Sequence, residues 1–271
     1  MPRRVSSPEV RCRDHGVSVS SLGMDWDAAR YDKVSTPQAR WGRGVLERLE
    51  LTGDETVLDA GCGTGRVTEE LLKVLPRGHV VALDASAPMI EQAKSRLARA
   101  SGRVSFVQLD LLDLAPEALD RTGALDAVFS TATFHWVTDH ERLFANIRSV
   151  LRPGGQLVAQ CGGQGNIAGL LDVVRSLGVE RAGTWLYASP EETGSRLAQA
   201  GFGDIRVWTH PEPVPFSDRT ALVDFLQTVC LREHLATIEP QQRQAFAQRV
   251  AAAMPAPTLD YVRLNIVARA R

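Results

Sequence analysis

The densest chemistry in this 271-residue chain is the run Asp59-Ala60-Gly61-Cys62-Gly63-Thr64-Gly65, three glycines at alternate positions behind an acid. Glycines so spaced let a backbone turn tightly, approach a ligand closely and expose amide groups at a helix N-terminus. A dinucleotide site uses G-x-G-x-x-G with no acid in front, because its pyrophosphate is anionic. Here the spacing is G-x-G-x-G, and Asp59 repels a pyrophosphate while attracting a ligand that carries an ammonium group. Asp84 ends a second apolar run 25 residues after Asp59, where α/β geometry puts a carboxylate within reach of ribose hydroxyls. Asp110 ends a third run and can accept a hydrogen bond from an exocyclic amine. Three successive strands thus end in acids along one sheet edge, the edge at which such folds bind ligands.

Other residues carry weaker signals. His135 titrates near neutral pH and follows the fourth apolar run, so it is either a general base for an acceptor hydroxyl or an orienting or packing imidazole. Trp41 and Trp136 read as pocket wall or core, and Tyr31 either closes over a ligand or packs. Cys62 has no base near it in sequence, and its small size between two glycines explains it better than a nucleophilic role. Cys12, Cys62, Cys161 and Cys230 are scattered without a CxxC or Cys/His cluster, so neither a metal site nor a disulfide framework is expected.

These groups need a frame to hold them. From Thr56 onward short apolar runs alternate with helical periods, the pattern of an α/β domain with a largely parallel sheet. Strands are predicted over 56–59, 80–84, 104–110, 125–130 and 156–161, the last entered through a turn at Pro153-Gly154-Gly155. Val67, Leu71, Val74 and Leu75 are expected on one face of the first helix, Ser86 is expected to cap the next with Pro88 in its first turn, and Asp139 to cap one carrying Leu143, Ile147, Val150 and Leu151. Ser189-Pro190-Glu191-Glu192 combines an N-cap, Pro at N1 and Glu at N3, so Glu191 and Glu192 serve capping and not acid-base work; this helix should stop at Gly201. A strand near 205–209 and a last one over 261–268 are separated by about 45 mostly helical residues, more than a connection needs and the size of a lid.

The segments VLDAGCGTGRVTEELL, VVALDASAPMI, FVQLDLLDL and LRPGGQLV, in that order, resemble the successive motifs of the class I S-adenosylmethionine (SAM)-dependent methyltransferases, over roughly residues 26–161. The resemblance implies a Rossmann-like, doubly wound, seven-stranded, mostly parallel sheet with an antiparallel last strand, and SAM as cofactor. It implies that Gly61, Cys62 and Gly63, in the loop closed by Gly65, line the methionine part, and that Asp59 supports the loop and the ligand's amino group. Asp84, followed by Ala85, would hold the ribose, Asp110 with the Leu111 amide would read adenine, and Thr131 would face the methionine end. Within the family, residues 26–31, 133–137 and 262–269 look like the trans-aconitate methyltransferase branch, which esterifies a small carboxylate; His135 stands where that branch commonly has Gln. An antiparallel last strand puts its beginning at the ligand edge, where Tyr261 and Arg263 point to one face. Arginine's planar fork matches a carboxylate bidentately, and a carboxylate acceptor, already ionised, needs no base.

Composition bounds the rest. With 31 Lys plus Arg against 32 Asp plus Glu, the net charge of −1 argues against a nucleic acid or anionic membrane held by bulk charge. At 44% hydrophobic residues the chain can bury a sizeable core. No apolar run approaches the ~18 residues of a membrane span, and Met1-Pro2-Arg3-Arg4 leads into polar sequence unlike a signal peptide, so a cytoplasmic protein is expected. Residues 1–23 read as a disordered tail, with Met24 an alternative translation start, and 24–271 as the methyltransferase domain, with 24–50 an N-terminal cap and about 217–254 a helical lid. The expectation is O-methylation of a carboxylate on a small molecule. Competing readings are C-, N- or hydroxyl-O-methylation in specialised metabolism, and a SAM-binding protein without catalysis; oligomeric state stays open.

Overall fold

The computed structural model describes residues 36–100, 102–119, 123–179 and 185–271, so the N-terminal tail, Cys12, Met24 and Tyr31 lie outside the described residues. These residues divide into two compact units, a larger one of 36–166, 185–214 and 260–271 and a smaller one of 167–179 and 215–259.

The larger unit is built on a seven-stranded sheet. Its strands are β1 (Thr56–Ala60), β2 (His79–Asp84), β3 (Val104–Gln108), β4 (Leu125–Thr131), β5 (Leu151–Gly162), β6 (Phe202–Pro211) and β9 (Val262–Ala270), in the spatial order β3-β2-β1-β4-β5-β9-β6. The first five run parallel, and β9 runs antiparallel to both β5 and β6. The order reverses between β1 and β4, which opens a crevice at their C-terminal ends. Period-two alternation sorts the central strands to two buried faces. Leu58, Val81, Leu83, Val128 and Leu157 pack with Leu143, Phe144 and Ile147 on one side. Val57, Val80, Ala82, Phe129 and Val158 pack with Val45, Leu71, Leu72 and Ile90 on the other.

The helices that cover these faces are α1 (Thr36–Leu46), α2 (Arg66–Val74), α3 (Ala87–Arg96), α4 (His140–Val150) and α6 (Pro190–Gln199). Asp139 caps α4 by accepting from the Arg142 amide, and Ser189 and Glu192 form the expected reciprocal capping box on α6. Several local expectations are corrected. Val74 is 47% exposed at the end of α2, whose buried face is instead Thr68, Leu71 and Leu72. Ser86 makes no side-chain cap bond. β3 ends at Gln108, so Asp110 belongs to the next turn, while β5 begins already at Leu151 and carries Pro153-Gly154-Gly155 as an irregularity in its pairing with β4.

In the smaller unit, α5 (Ala168–Ser176) packs with α9 (Pro240–Ala253), and α7 (Arg219–Phe225) and α8 (Arg232–Ala236) lie between them in sequence. A two-stranded ribbon, β7 (Val214–Pro215) with β8 (Thr258–Leu259), stands where the chain enters and leaves the insertion. The helices predicted over 217–254 are therefore present, joined by α5. No described helix is long and apolar enough to cross a membrane.

Candidate cofactor and acceptor site

The glycine loop leaves β1 with Gly61 at φ +83°, where a Cβ would overlap the Thr133 side chain, so only glycine fits. The amides of Gly61 and Cys62 both donate to the Leu83 carbonyl, at 2.8 and 2.9 Å, that of Gly63 donates to Asp84 Oδ2 at 2.8 Å, and that of Gly65 donates to the Cys62 carbonyl at 3.0 Å. This corrects the expectation of exposed loop amides: four N–H groups are spent inside the protein. The loop is no nest for a pyrophosphate, and its nearest charges are carboxylates, which suits a ligand cationic at this end. Residues and cofactor therefore fit: SAM carries an ammonium and a sulfonium where a dinucleotide carries phosphates. Gly63 is open to ligand, since a Cβ there would meet nothing within 4 Å. Gly65 serves packing, because a Cβ there would press on Ala93 and Leu97 at 3.1 to 3.2 Å.

Each acid stands in a different state. Asp59 is 2% exposed and accepts from the Thr68 hydroxyl at 2.6 Å; burial, helped by the charge of Asp84, pushes it up to about 7. Its observed partner is thus in the first turn of α2. Asp84 is raised by burial, while the amides of Ser86 (2.9 Å, to Oδ1) and Gly63 hold it down. The Ala85 amide also acts on it, and the carboxylate keeps acceptor capacity for a ligand hydroxyl. Asp110 is half-buried and caps the following turn, accepting from the Leu112 amide at 2.9 Å, with Leu111 buried beside it and Ala85 exposed beyond Asp84. Burial and the charges of Asp59 and Asp84 push the Cys62 thiol well above its usual range, which keeps it a neutral filler. Thr131 ends β4, and its carbonyl accepts from the Thr133 hydroxyl at 3.0 Å; Thr133, given no site role by the sequence, is the residue that meets Gly61.

A second cluster lies on the same sheet edge, where Gly162 at the end of β5 pairs with Arg263 at the start of β9. Arg263 is 2% exposed, its guanidinium centre 4.3 Å from the Trp41 ring and its Nε donating to Gln160 Oε1 at 3.3 Å. Trp41 also meets Tyr261 edge-on at 5.1 Å, so Tyr261 and Arg263 do share a face. His135, in the turn Phe134–Trp136, is 8% exposed; burial, with the charges of Arg263 and His140, pushes it down to about 3. Its Nδ1 accepts from the Gly162 amide at 3.4 Å, which leaves the proton on Nε2. The ring stacks on Tyr187 at 5.8 Å and lies 4.9 Å from Trp136, which meets Trp185 edge-on.

Gln160 and Asn265 are further residues that sequence reasoning missed. Asn265 Oδ1 accepts from Gln160 Nε2 at 2.8 Å and from Arg48 Nη1 at 2.6 Å, while its Nδ2 bonds His210 Nδ1 at 3.0 Å. Their signal was an amide set between apolar neighbours, Ala159-Gln160-Cys161 and Leu264-Asn265-Ile266, since a buried amide needs partners. Trp185 and Tyr187 had no such signal.

Comparison with known proteins agrees with this geometry. Residues 57–155 match the family model for a methyltransferase domain. A trans-aconitate 2-methyltransferase of Acidovorax ebreus is 36% identical over 136 residues, 50% of this chain, and the matched stretch spans about half of that relative (49%). The enzyme of that name from Rhodopseudomonas palustris is 27% identical over 90% of this chain and 98% of its own. Among solved structures, the YcgJ protein of Bacillus subtilis superposes with a TM-score of 0.60 at 17% identity, over 86% of this chain and 99% of that one. Phosphoethanolamine N-methyltransferase 2 of Haemonchus contortus, solved with S-adenosylhomocysteine, gives 0.59 at 17% identity over 90% of this chain and 56% of its own; both are likenesses of fold. With the loop, the acids and the seven-stranded topology in place, residues 57–155 are a methyltransferase domain of the SAM-dependent type.

Proposed function

We propose that this protein transfers a methyl group from SAM to a carboxylate oxygen of a small acid, giving a methyl ester. The observation that carries this reading is Arg263, a guanidinium 2% exposed and 4.3 Å from the centre of the Trp41 ring, at the sheet edge that also bears the glycine loop. Such a planar fork matches a carboxylate. Similarity to trans-aconitate 2-methyltransferases over most of the chain supports the same acceptor class.

On this reading Asp84 takes the ribose hydroxyls with Ala85 beside it, and Asp110 with Leu111 takes the adenine. Gly61, Cys62, Gly63 and Thr131 border the amino-acid end, and Asp59, bound to Thr68, holds the loop in place. When bound, the cofactor supplies a methyl group already activated on a sulfonium. The protein's contribution is then alignment and exclusion of water. His135, neutral with its proton on Nε2, donates to the acceptor and orients it; an ionised carboxylate has no proton for it to remove. Trp41, Trp136 and Tyr261 wall the acceptor.

Arg263→Lys tests the reading, because a point charge cannot replace the fork. Steady-state kinetics with trans-aconitate and a panel of small acids should show KM for the acid raised by about 10-fold or more with SAM affinity unchanged. His135→Gln should keep substantial turnover. If His135→Gln abolishes turnover while Arg263→Lys is silent, the acceptor is a hydroxyl, amine or carbon activated by His135.

A further inference from the structure

The indole N–H of Trp41 is buried, in a side chain 6% exposed, and has no hydrogen-bond partner among the described residues. The face of the same ring carries the Arg263 guanidinium, 4.3 Å from the ring centre. Both groups are donors only. The guanidinium is oriented from behind: its Nε donates to Gln160 Oε1, and Gln160 is itself fixed by donating Nε2 to Asn265 Oδ1 at 2.8 Å, an oxygen also held by Arg48. Asn265 is fully buried. The relay is spent on aiming one cation, and the aimed cation lies on a ring whose own donor is left over.

A buried N–H without a partner in the protein calls for one from outside it, and a ligand oxygen can supply it. The ligand that answers two neighbouring donors, one cationic and one neutral, is an anion with two acceptor oxygens, and its flat form suits a planar fork. We propose that Trp41 is a binding residue, its indole N–H and the Arg263 guanidinium together taking one carboxylate group. This rests on the reading of Arg263 as a carboxylate fork and adds to it an atom, Nε1, and a division of labour within Trp41: the ring face holds the arginine and the ring edge holds the ligand. Carboxylates have two sources at this site, the acceptor acid and the amino-acid end of the cofactor.

Trp41→Phe separates these roles, since it keeps an aromatic face under Arg263 and removes only the N–H. We expect KM for the acid to rise about 10- to 100-fold, the usual value of a hydrogen bond to a charged group, with kcat little changed and the melting temperature of the ligand-free protein preserved. Unchanged KM for the acid and unchanged affinity for S-adenosylhomocysteine together overturn the proposal. The unsubstituted protein gives a second readout, crystal structures with S-adenosylhomocysteine alone and with S-adenosylhomocysteine plus trans-aconitate. A carboxylate oxygen of trans-aconitate within hydrogen-bond distance of Trp41 Nε1 supports the proposal with the acceptor as source. An oxygen of S-adenosylhomocysteine there supports it with the cofactor as source, and Trp41→Phe then weakens S-adenosylhomocysteine but not 5′-methylthioadenosine, which lacks the carboxylate. No carboxylate oxygen at Nε1 in either crystal overturns it. If no acid is methylated although S-adenosylhomocysteine binds, the proposed reaction fails by itself, and the cofactor arm still decides Trp41.

Discussion

Asp84 holds two amides of its own site, those of Gly63 and Ser86, and offers its remaining lone pairs outward. Its loss should therefore be felt by the ligand first. Asp84→Ala is expected to weaken SAM binding by about 30- to 150-fold in calorimetric titration, the value of two charge-assisted hydrogen bonds at roughly 2–3 kcal/mol together. A variant that binds like the parent would show that the second strand end is not the ribose site. His135 makes a prediction in pH. Its folded-state pKa lies near 3, below the ordinary value of 6.5, so the unfolded chain takes up a proton that the folded protein refuses. The contribution of this histidine is thus full above about pH 6.5 and is lost as pH falls toward 3, by about 2 kcal/mol already at pH 5. His140 and His234, also pushed down by burial, act in the same direction. His135→Gln should flatten the decline of melting temperature between pH 6.5 and 5 without abolishing it; an unaltered slope would mean that His135 is not buried neutral.

At the scale of elements, two serines at helix starts show what is local and what is not. Ser189 accepts from the Glu192 amide at 3.1 Å while the Glu192 carboxylate accepts from the Ser189 amide, all within four residues. Ser189→Ala should cost about 1 kcal/mol, a fall of roughly 2–4 °C in melting temperature by scanning calorimetry. Ser86 also precedes a helix with a proline in its first turn, but Met89 stands where the other helix has Glu192, and its hydroxyl is buried without a partner while Asp84 takes its amide. The competing acceptor comes from the end of β2. Asp110, by contrast, caps its own turn once β3 has ended, so a residue expected at a strand end is held by the turn that follows.

For the molecule as a whole, the reversal of strand order between β1 and β4 brings Asp59 and Thr133, 74 residues apart, to one crevice, and the antiparallel β9 brings Arg263 to the same edge. The helical unit that interrupts the chain between β6 and β9 is not needed to complete the sheet. If it is the lid, backbone amide exchange over residues 217–254 and 26–41 should slow on adding S-adenosylhomocysteine. Unchanged exchange in both segments would make the insertion a purely structural one.

The cofactor end of this site was legible in the sequence because its determinants are short-range: an apolar run, an acid, three glycines and a helix start must follow one another to make the loop, and two more acids recur, Asp84 at the end of a strand and Asp110 just past one. The class of fold followed from the same alternation of periods. What only the tertiary structure decided is where each hydrogen bond goes. The loop amides read as ligand donors turn inward to Leu83, Asp84 and Cys62, and the histidine read as base or orienter has its Nδ1 occupied by Gly162. In the second cluster the sequence pointed to Trp41, His135, Trp136, Tyr261 and Arg263 but not to what holds them. Gln160, Asn265 and Arg48 aim that arginine from three segments that meet across β5 and β9, and Tyr187 reaches His135 from a stretch without periodicity. Strand and turn signals are local in the chain, whereas the satisfaction of buried polar groups depends on which distant strands become neighbours, and the order β4-β5-β9-β6 sets that only on folding.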